Sequence, residues 1–393
     1  MTFLRHLRGC IALVLAGCLA CPPASALVTL NDGRDRIYVT GTAGIAWDSN
    51  VFAANGSAGD YILTSGLTAE YQRRAGWIGV NGRMAVNLGR FDSIDGQDFS
   101  DPSFSLEFTK QTGRTTGSVT LGFARESRAD AAVNTRSESQ NYNAGLNFKY
   151  HIVGNFDLAG QFGYSQRKYA DSTTFSDLST YNADLDLFHV FSSERDVILG
   201  YRYRFSETSR DTSSSDHGVN LGLHGKIVRG INGTLRVGYQ TRTPHGGPSR
   251  NDTFSTWTAS GSVAYALNKK TSVSAQISKD FSTTAVDTSV DTLTASLDAQ
   301  YALSSRWMFS SSVAFGDTRF LGDGGRVLIS LGPPAILGPQ RHDNFFSWTT
   351  SASFALNEHL KIGMSYLWFQ NWSTIAFADF TRSSWNVNVS SRW

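Results

Sequence analysis

From Ile37 onward the chain alternates. Ile37, Val39, Gly41, Ala43, Ile45, Trp47 and Val51 share one parity, with Ser49 the polar exception. Tyr38, Thr40, Thr42, Gly44, Ala46, Asp48 and Asn50 share the other. A two-residue period held for about 14 residues outruns a typical soluble strand of about 5–6. The pattern recurs. Ile78, Val80, Met84, Val86 and Leu88 alternate with Asn81, Arg83 and Asn87, and Tyr142, Ala144, Leu146, Phe148 and Tyr150 with Asn143, Asn147 and Lys149. Val197, Leu199, Tyr201, Tyr203 and Phe205 alternate with Arg202 and Arg204, and Leu293, Ala295, Leu297 and Tyr301 with Thr294, Ser296, Asp298 and Gln300. One continuous apolar face and one small, polar or charged face fit strands with lipid outside and a wet lumen inside.

Tight-turn signals fall at 73–77, 110–117, 151–156, 192–196, 228–232, 267–271, 303–307 and 356–360. Most lie about 36 to 41 residues apart, one hairpin of two membrane-length strands plus a loop. Longer polar stretches between them, such as 123–142 and 242–254, read as loops on the opposite side. Eight turns and nine loops predict an all-β fold. It is a transmembrane antiparallel up-and-down β-barrel of about 18 strands (16 to 18), with both termini periplasmic. Pro102, Pro244, Pro248, Pro333, Pro334 and Pro339 are expected outside the strand cores, because proline cannot donate to a ladder. A soluble propeller has a similar period, but its strands are shorter and four to a blade, and no Trp-Asp repeat is present.

Composition supports this. The 393 residues are 40% hydrophobic but only 17% charged, and the body of the chain has no apolar run near the ~18 residues a membrane helix needs. The N-terminus reads as an export signal over 1–26. Arg5, His6 and Arg8 precede the apolar run 10–21, and Ala24-Ser25-Ala26 supplies a small-residue cleavage site. Leu-Ala-Gly-Cys ending at Cys18 offers lipoprotein processing as the alternative. Residues 27–35 are then a periplasmic N-terminal segment and 36–393 the barrel. Cys10, Cys18 and Cys21 all lie in the signal, so the cleaved chain has no thiol or disulfide chemistry. Losing Arg5 and Arg8 takes Lys+Arg from 35 to 33, equal to Asp+Glu at 33. A neutral chain argues against a nucleic-acid partner.

Candidate chemistry lies on the lumen parity. Asp48, Asn50, Arg83, Asp184, Asp186, Arg202, Arg204, Lys226, Arg236 and Arg242 are the lumen-lining candidates. A turn centred on Glu194 sets Asp184 opposite Arg204 and Asp186 opposite Arg202, with Lys226, Arg236 and Arg242 continuing a basic wall. The functional reading is a transverse field that orients polar solutes. The structural reading, favoured because the aspartates neutralise their neighbours, is a salt-bridge ladder worth roughly 0.2–1 kcal/mol per pair. Lumen aromatics are few, with Tyr38, Phe52 and Phe188 the main ones. The longest loop, 316–344, carries an apolar run of Val327, Leu328, Ile329, Leu331, Pro333, Pro334, Ile336 and Leu337. It reads either as a gate folded into the mouth, a contact with a neighbouring barrel, or an extra hairpin turned at 332–334. Histidines are dispersed, His189 on the lipid parity and His224 alone inside. No hydrolase, zinc or phosphate-loop motif is present, so neither catalysis, cofactor nor metal is expected.

Two stretches carry resemblances. Trp385, Val387, Val389 and the terminal Trp393 alternate with Asn386 and Asn388, which resembles the recognition strand of bacterial outer-membrane proteins. This implies the barrel-assembly machinery as a partner, besides outer-membrane lipid and lipopolysaccharide. Asp48-Ser49-Asn50-Val51-Phe52, ending the first strand, resembles the β-barrel porins encoded beside exopolysaccharide-biosynthesis genes. On that parity Asp48 and Asn50 face the lumen while Trp47 and Val51 face lipid. The resemblance implies a polysaccharide-export conduit in the Gram-negative outer membrane, served by periplasmic export components. A general diffusion porin and a non-conducting structural or adhesive barrel are the alternatives.

Overall fold

The computed structural model describes residues 28–31, 34–56, 58–73, 76–246, 252–330 and 336–393. Residues 1–26, read above as an export signal, lie outside them, as do Pro248, Leu331, Pro333 and Pro334 and the side chains of Val327, Leu328, Ile329, Ile336 and Leu337. The strands run in chain order as β1 (Val28–Leu30), β2 (Asp35–Asp48), β3 (Asp60–Arg73), β4 (Gly79–Phe91), β5 (Phe99–Lys110), β6 (Thr115–Asp130) and β7 (Thr135–Val153). Then come β8 (Phe156–Tyr169), β9 (Leu178–Ser192), β10 (Arg195–Thr208), β11 (Ser213–Val228), β12 (Ile231–His245), β13 (Phe254–Ala266) and β14 (Thr271–Thr283). The last are β15 (Ser289–Ala302), β16 (Trp307–Phe320), β17 (Arg326–Ser330), β18 (Ile336–Gln340), β19 (His342–Ala355), β20 (Leu360–Ser373) and β21 (Phe380–Arg392).

Each of β2 to β16 pairs antiparallel with the next, β16 pairs with β19, and β21 returns to β2. Among the described residues this closes a ring of 18 strands, the nineteen of the sheet less the short β1 on β2. Closure is what the surroundings demand, since lipid offers nothing to an unpaired backbone amide. All eight tight turns fall where the pattern put them. At the turn between β11 and β12, Gly230 takes a φ of 82°, and a Cβ there would strike the Tyr265 ring at 2.7 Å, so only glycine serves. The apolar parity faces out: Met84, Val237, Met364, Leu221, Val219 and Leu67 are each more than half exposed on the strand walls.

The seam between the first and last wall strands runs from Thr40 opposite Arg392 to Asp48 opposite Ser384. Val39 and Trp393 exchange two backbone hydrogen bonds at 2.8 Å. At the other end Arg382 donates to both Asp48 oxygens, Nε at 3.0 and 3.1 Å. Asn50 donates from Nδ2 to the carbonyls of Ala54 and Thr381 and accepts from the Ala54 amide. Asp48 and Asn50 are thus buried fasteners of the seam. Val51 does not face lipid: it is fully buried, its amide bonded to Ala58 O at 3.1 Å. The chain has already turned into its loop there, so strand parity no longer applies.

Two ladders stop early. β5 and β6 part above Ser103–Ala124, and β13 and β14 above Ala259–Lys279, although all four strands continue. Pro102 and Pro244 therefore lie inside strands, contrary to the expectation, as does Pro339 in β18, which pairs only with β17. Each sits where one neighbour is missing: Pro102 pairs only with β4, and Pro244 only with β11. That is the ladder position a residue without N–H tolerates. The polar stretch 123–142 is mostly strand as well, β6 and β7 rising as a long hairpin joined by 131–134.

The buried Asp48 fixes a prediction. Arg382→Ala leaves that carboxylate without its partner and destabilises the folded barrel by about 3 kcal/mol, read as a lowered midpoint in urea-dependent heat-modifiable gel migration.

Candidate functional site: the barrel mouth

Above Lys279, β14 keeps its pairing with β15 but loses β13. Side chains show where it goes. Lys279 and Phe281 carry the lipid-facing parity of Val273 and Ile277, yet only 8% and 2% of them are exposed. Lys279 Nζ is ion-paired with Asp291 of β15, donates to Thr256 Oγ1 at 2.8 Å and lies over the Trp257 ring. Arg242, of lumen parity on β12, packs over the Phe281 ring. The β14–β15 hairpin therefore leans into the barrel, laying its outer face against the inner face of β12 and β13. A cation and an anion at lipid-facing positions supply the reason, because leaning inward removes both from the lipid side.

Three arginines receive it. Arg204 Nη2 donates to Phe281 O and Arg242 Nη1 to Ser282 O, both at 2.6 Å. Arg202 and Arg204 both grip the Asp280 carboxylate at 2.8–3.2 Å. Asp216 of β11 sits between Arg204 and Arg242, accepting from Arg204 Nε at 2.7 Å and from Arg242 Nε and Nη2 at 2.7 and 2.9 Å. Gln240 accepts from Arg202 at 2.6 Å. Arg242 is wholly buried. Its neighbours satisfy the guanidinium fork, as a buried charge requires.

The hairpin tip reaches the loop between β8 and β9. Ala285 O accepts the Ser176 amide at 2.7 Å, and Ala285 packs with Tyr169 and Phe175. Val133, at the tip of the β6–β7 hairpin, joins that cluster. This second hairpin also enters the mouth: Arg136 stacks over Phe91 and Phe99, and Asp101 accepts the Ser127 amide and hydroxyl where the β5–β6 ladder has stopped. Arg341 joins the cover from the last long loop, donating to Ala131 O at 3.0 Å and Ala132 O at 2.7 Å, and Asn134 Nδ2 reaches Ala53 O at 2.9 Å. In the supporting loop, hydrogen bonds from Thr173 and Thr174 hold the Asp171 carboxyl well below its usual range. Among the described residues, the loop-side end of the barrel is thus bridged by two hairpins meeting at Tyr169 and Phe175.

The expected register of β9 on β10 is off by two. Arg202 faces Asp184, Gly200 faces Asp186 and Arg204 faces Asn182. The turn is centred on Ser193–Glu194 and a bulge follows at Arg195, each contributing one step, so parity survives. The basic wall is neutralised: Arg236 forms a two-pronged pair with Asp186 at 2.6 and 2.8 Å, and Lys226 pairs with Glu194 at 3.0 Å. Asp184 accepts from Asn182 at 3.5 Å. Arg83 lies at the turn-side end, 3.4 Å from Glu70, which also holds Arg392 at 3.0 Å. Arg392 covers Tyr38, Lys149 covers Phe188, and His224 bonds Thr234. Trp385 stands opposite Trp47 and edge-on to Tyr61, with Val387 and Val389 following on that face. The apolar loop run does form an extra hairpin at the backbone, β17 against β18.

Sequence reasoning missed Asp216, Asp280, Lys279, Asp291 and Arg341. A signal for two of them was present: Lys279 and Asp291 interrupt the lipid-facing parity of β14 and β15, which marks the level where these strands leave the wall. Asp216→Asn strips charge from a carboxylate serving two guanidiniums and is expected to destabilise the barrel by about 3 kcal/mol, measured as a drop in the thermal unfolding midpoint.

Residues 213–393, beginning at the first residue of β11, match the family described as "Putative beta-barrel porin 2". No curated protein sequence matches the chain. Among solved structures, the FrpB iron transporter of Neisseria meningitidis (F5-1 variant, apoprotein form) is 11% identical with a TM-score of 0.49, over 85% of this chain and 61% of that one. This chain thus spans about three fifths of that transporter. OccAB2 of Acinetobacter baumannii is 10% identical with a TM-score of 0.47, over 91% of this chain and 98% of that one. With the family match over 213–393 and a ring of 18 strands closed among the described residues, the chain has a β-barrel fold of porin type.

Proposed function

We propose that the barrel is a gated conduit for a neutral, polyhydroxylated chain, the export of a polysaccharide. The observation that carries this reading is the β14–β15 hairpin laid across the mouth above a lumen of hydroxyls and amides. On the lumen parity of β13 to β16 and β19 stand Ser260, Ser262, Ser278, Ser296, Ser310 and Ser351, with Ser310 and Ser351 hydrogen-bonded at 2.7 Å. Asn147, Asn386 and Asn388 continue that lining elsewhere. Such a wall exchanges hydrogen bonds with sugar hydroxyls much as water does, and the stacked rings of Phe345, Phe369 and Phe380, on the lumen parity of β19 to β21, add an aromatic platform at the loop-side end. The charges pair among themselves and hold the cover rather than the cargo. A general diffusion porin works best with a wide standing opening, and the two hairpins meeting at Tyr169 and Phe175 narrow the mouth. Export components would meet the opposite, tight-turn end.

The test is reconstitution into planar bilayers and proteoliposomes of wild type, the double variant Arg204→Gln/Arg242→Gln and a deletion of 324–340. Expected are rare openings in wild type, at least a severalfold higher open fraction in the double variant, and entry of neutral oligosaccharides ahead of sulfated ones of equal length. The deletion, which spares the hairpin, stays mostly closed. Silence in all three, with heat-modifiable migration showing folded barrels, would sink the conduit and leave a structural barrel.

A further inference from the structure

We infer that the β14–β15 hairpin has a second seat, in the barrel wall, where β14 resumes its ladder with β13. This rests on the conduit reading for its use but not for its geometry. The ladder stops at Ala259 opposite Lys279, yet both partners remain extended beyond it, β13 to Phe254 and β14 to Thr283. Continuing the same register sets Thr258 opposite Asp280, Trp257 opposite Phe281, Thr256 opposite Ser282 and Ser255 opposite Thr283. Every one of these positions has the correct parity. Phe281 would join Trp257 on the lipid face in an aromatic cross-strand pair, and Asp280 and Ser282 would line the lumen beside Thr258 and Thr256. The sequence of β14 is therefore written for a wall position that the strand does not occupy.

The inward seat is held by substitutes for the missing ladder. Two carbonyls of the freed segment, Phe281 O and Ser282 O, take guanidinium donors from Arg204 and Arg242. On the other edge, Thr258 Oγ1 donates to Lys279 O at 2.7 Å, and Thr256 Oγ1 accepts from Lys279 Nζ. Lys279 stands at the fork, paired with Ala259 in the wall and with its ammonium bridging β13 and β15. It is the hinge. Moving outward exchanges arginine bonds for backbone bonds and frees Ala285 from Ser176 in the loop between β8 and β9. It also brings the Lys279–Asp291 pair to the level of Trp257, where a long cationic side chain can reach the interface. The cost of presenting that pair keeps the inward seat as the resting one. Cargo arriving through the lumen would have only to displace the arginines.

The experiment is disulfide trapping in the full-length barrel in liposomes, free cysteines of the signal aside. Trp257→Cys/Phe281→Cys reports the wall seat, and Ser176→Cys/Ala285→Cys reports the inward seat. Because Phe281 is buried and its loss could impair folding, Thr256→Cys/Ser282→Cys serves as a second wall reporter. Expected is complete cross-linking of the inward pair, and slow cross-linking of both wall pairs that quickens about tenfold when Arg242→Gln removes a charged donor. Absence of wall cross-links in the Arg242→Gln background, with the barrel folded and the inward pair forming, overturns the second seat. Conductance is recorded on the trapped species. A wall-trapped barrel that stays silent keeps the second seat and removes the conduit, so the two readings fail separately.

Discussion

Lipid will not solvate a peptide group, and the rest of the structure follows from that constraint. It requires the sheet to close, and it fixes which parity faces out. It also dictates what must happen wherever the ladder is interrupted: some other group has to take the backbone's hydrogen bonds. At β5 and β6 an aspartate does so, Asp101 accepting from Ser127. At β14 arginines do so, reaching from strands two and four places away around the ring. The breaks in the ladder are consequently the most densely charged parts of the barrel, and they coincide with its mouth.

The ion pairs have a division of labour. Pairs such as Arg236–Asp186 and Lys226–Glu194 tie wall to wall and are partly exposed, so each contributes little. The cluster of Arg202, Arg204, Arg242, Asp216 and Asp280 is different. It is buried at its centre, every carboxylate serves two guanidiniums, and it joins the wall to a segment that has left the wall. Its value lies in choosing where the hairpin sits more than in raising stability, since replacing buried ion pairs by packed apolar groups is often neutral.

How much of this was legible in the sequence divides along a physical line. Strand positions, turns and faces were readable because a period of two is local, and because lipid penalises each error in parity. A turn near Glu194 was visible, but not its exact centre at Ser193–Glu194 nor the bulge beside it, which together shifted Asp184 and Asp186 by two places without changing their face. Val51 was misplaced because parity ends where a strand ends, and one residue decides it. The mouth was the least legible part. Asp216, Asp280 and Arg242 come together only because the ring brings β11, β12 and β14 into reach of one another. Lys279 and Asp291 nevertheless announce the event, as charges on a face reserved for apolar side chains.

The fastener at the seam has a temporal meaning. Asp48 stands on the first wall strand and Arg382 on the last, so the bond that finishes the wall joins residues 334 positions apart. Nothing local can substitute for it, and loop-closure entropy makes it among the costliest contacts to form by chance. During synthesis the polymer must therefore hold two sticky borders apart for as long as it takes to deliver its final dozen residues. A nascent barrel is an open curved sheet until then, and its edges are as ready to pair with a sibling as with each other. Keeping those edges from pairing elsewhere, rather than making any single hairpin, is the harder part of folding this architecture.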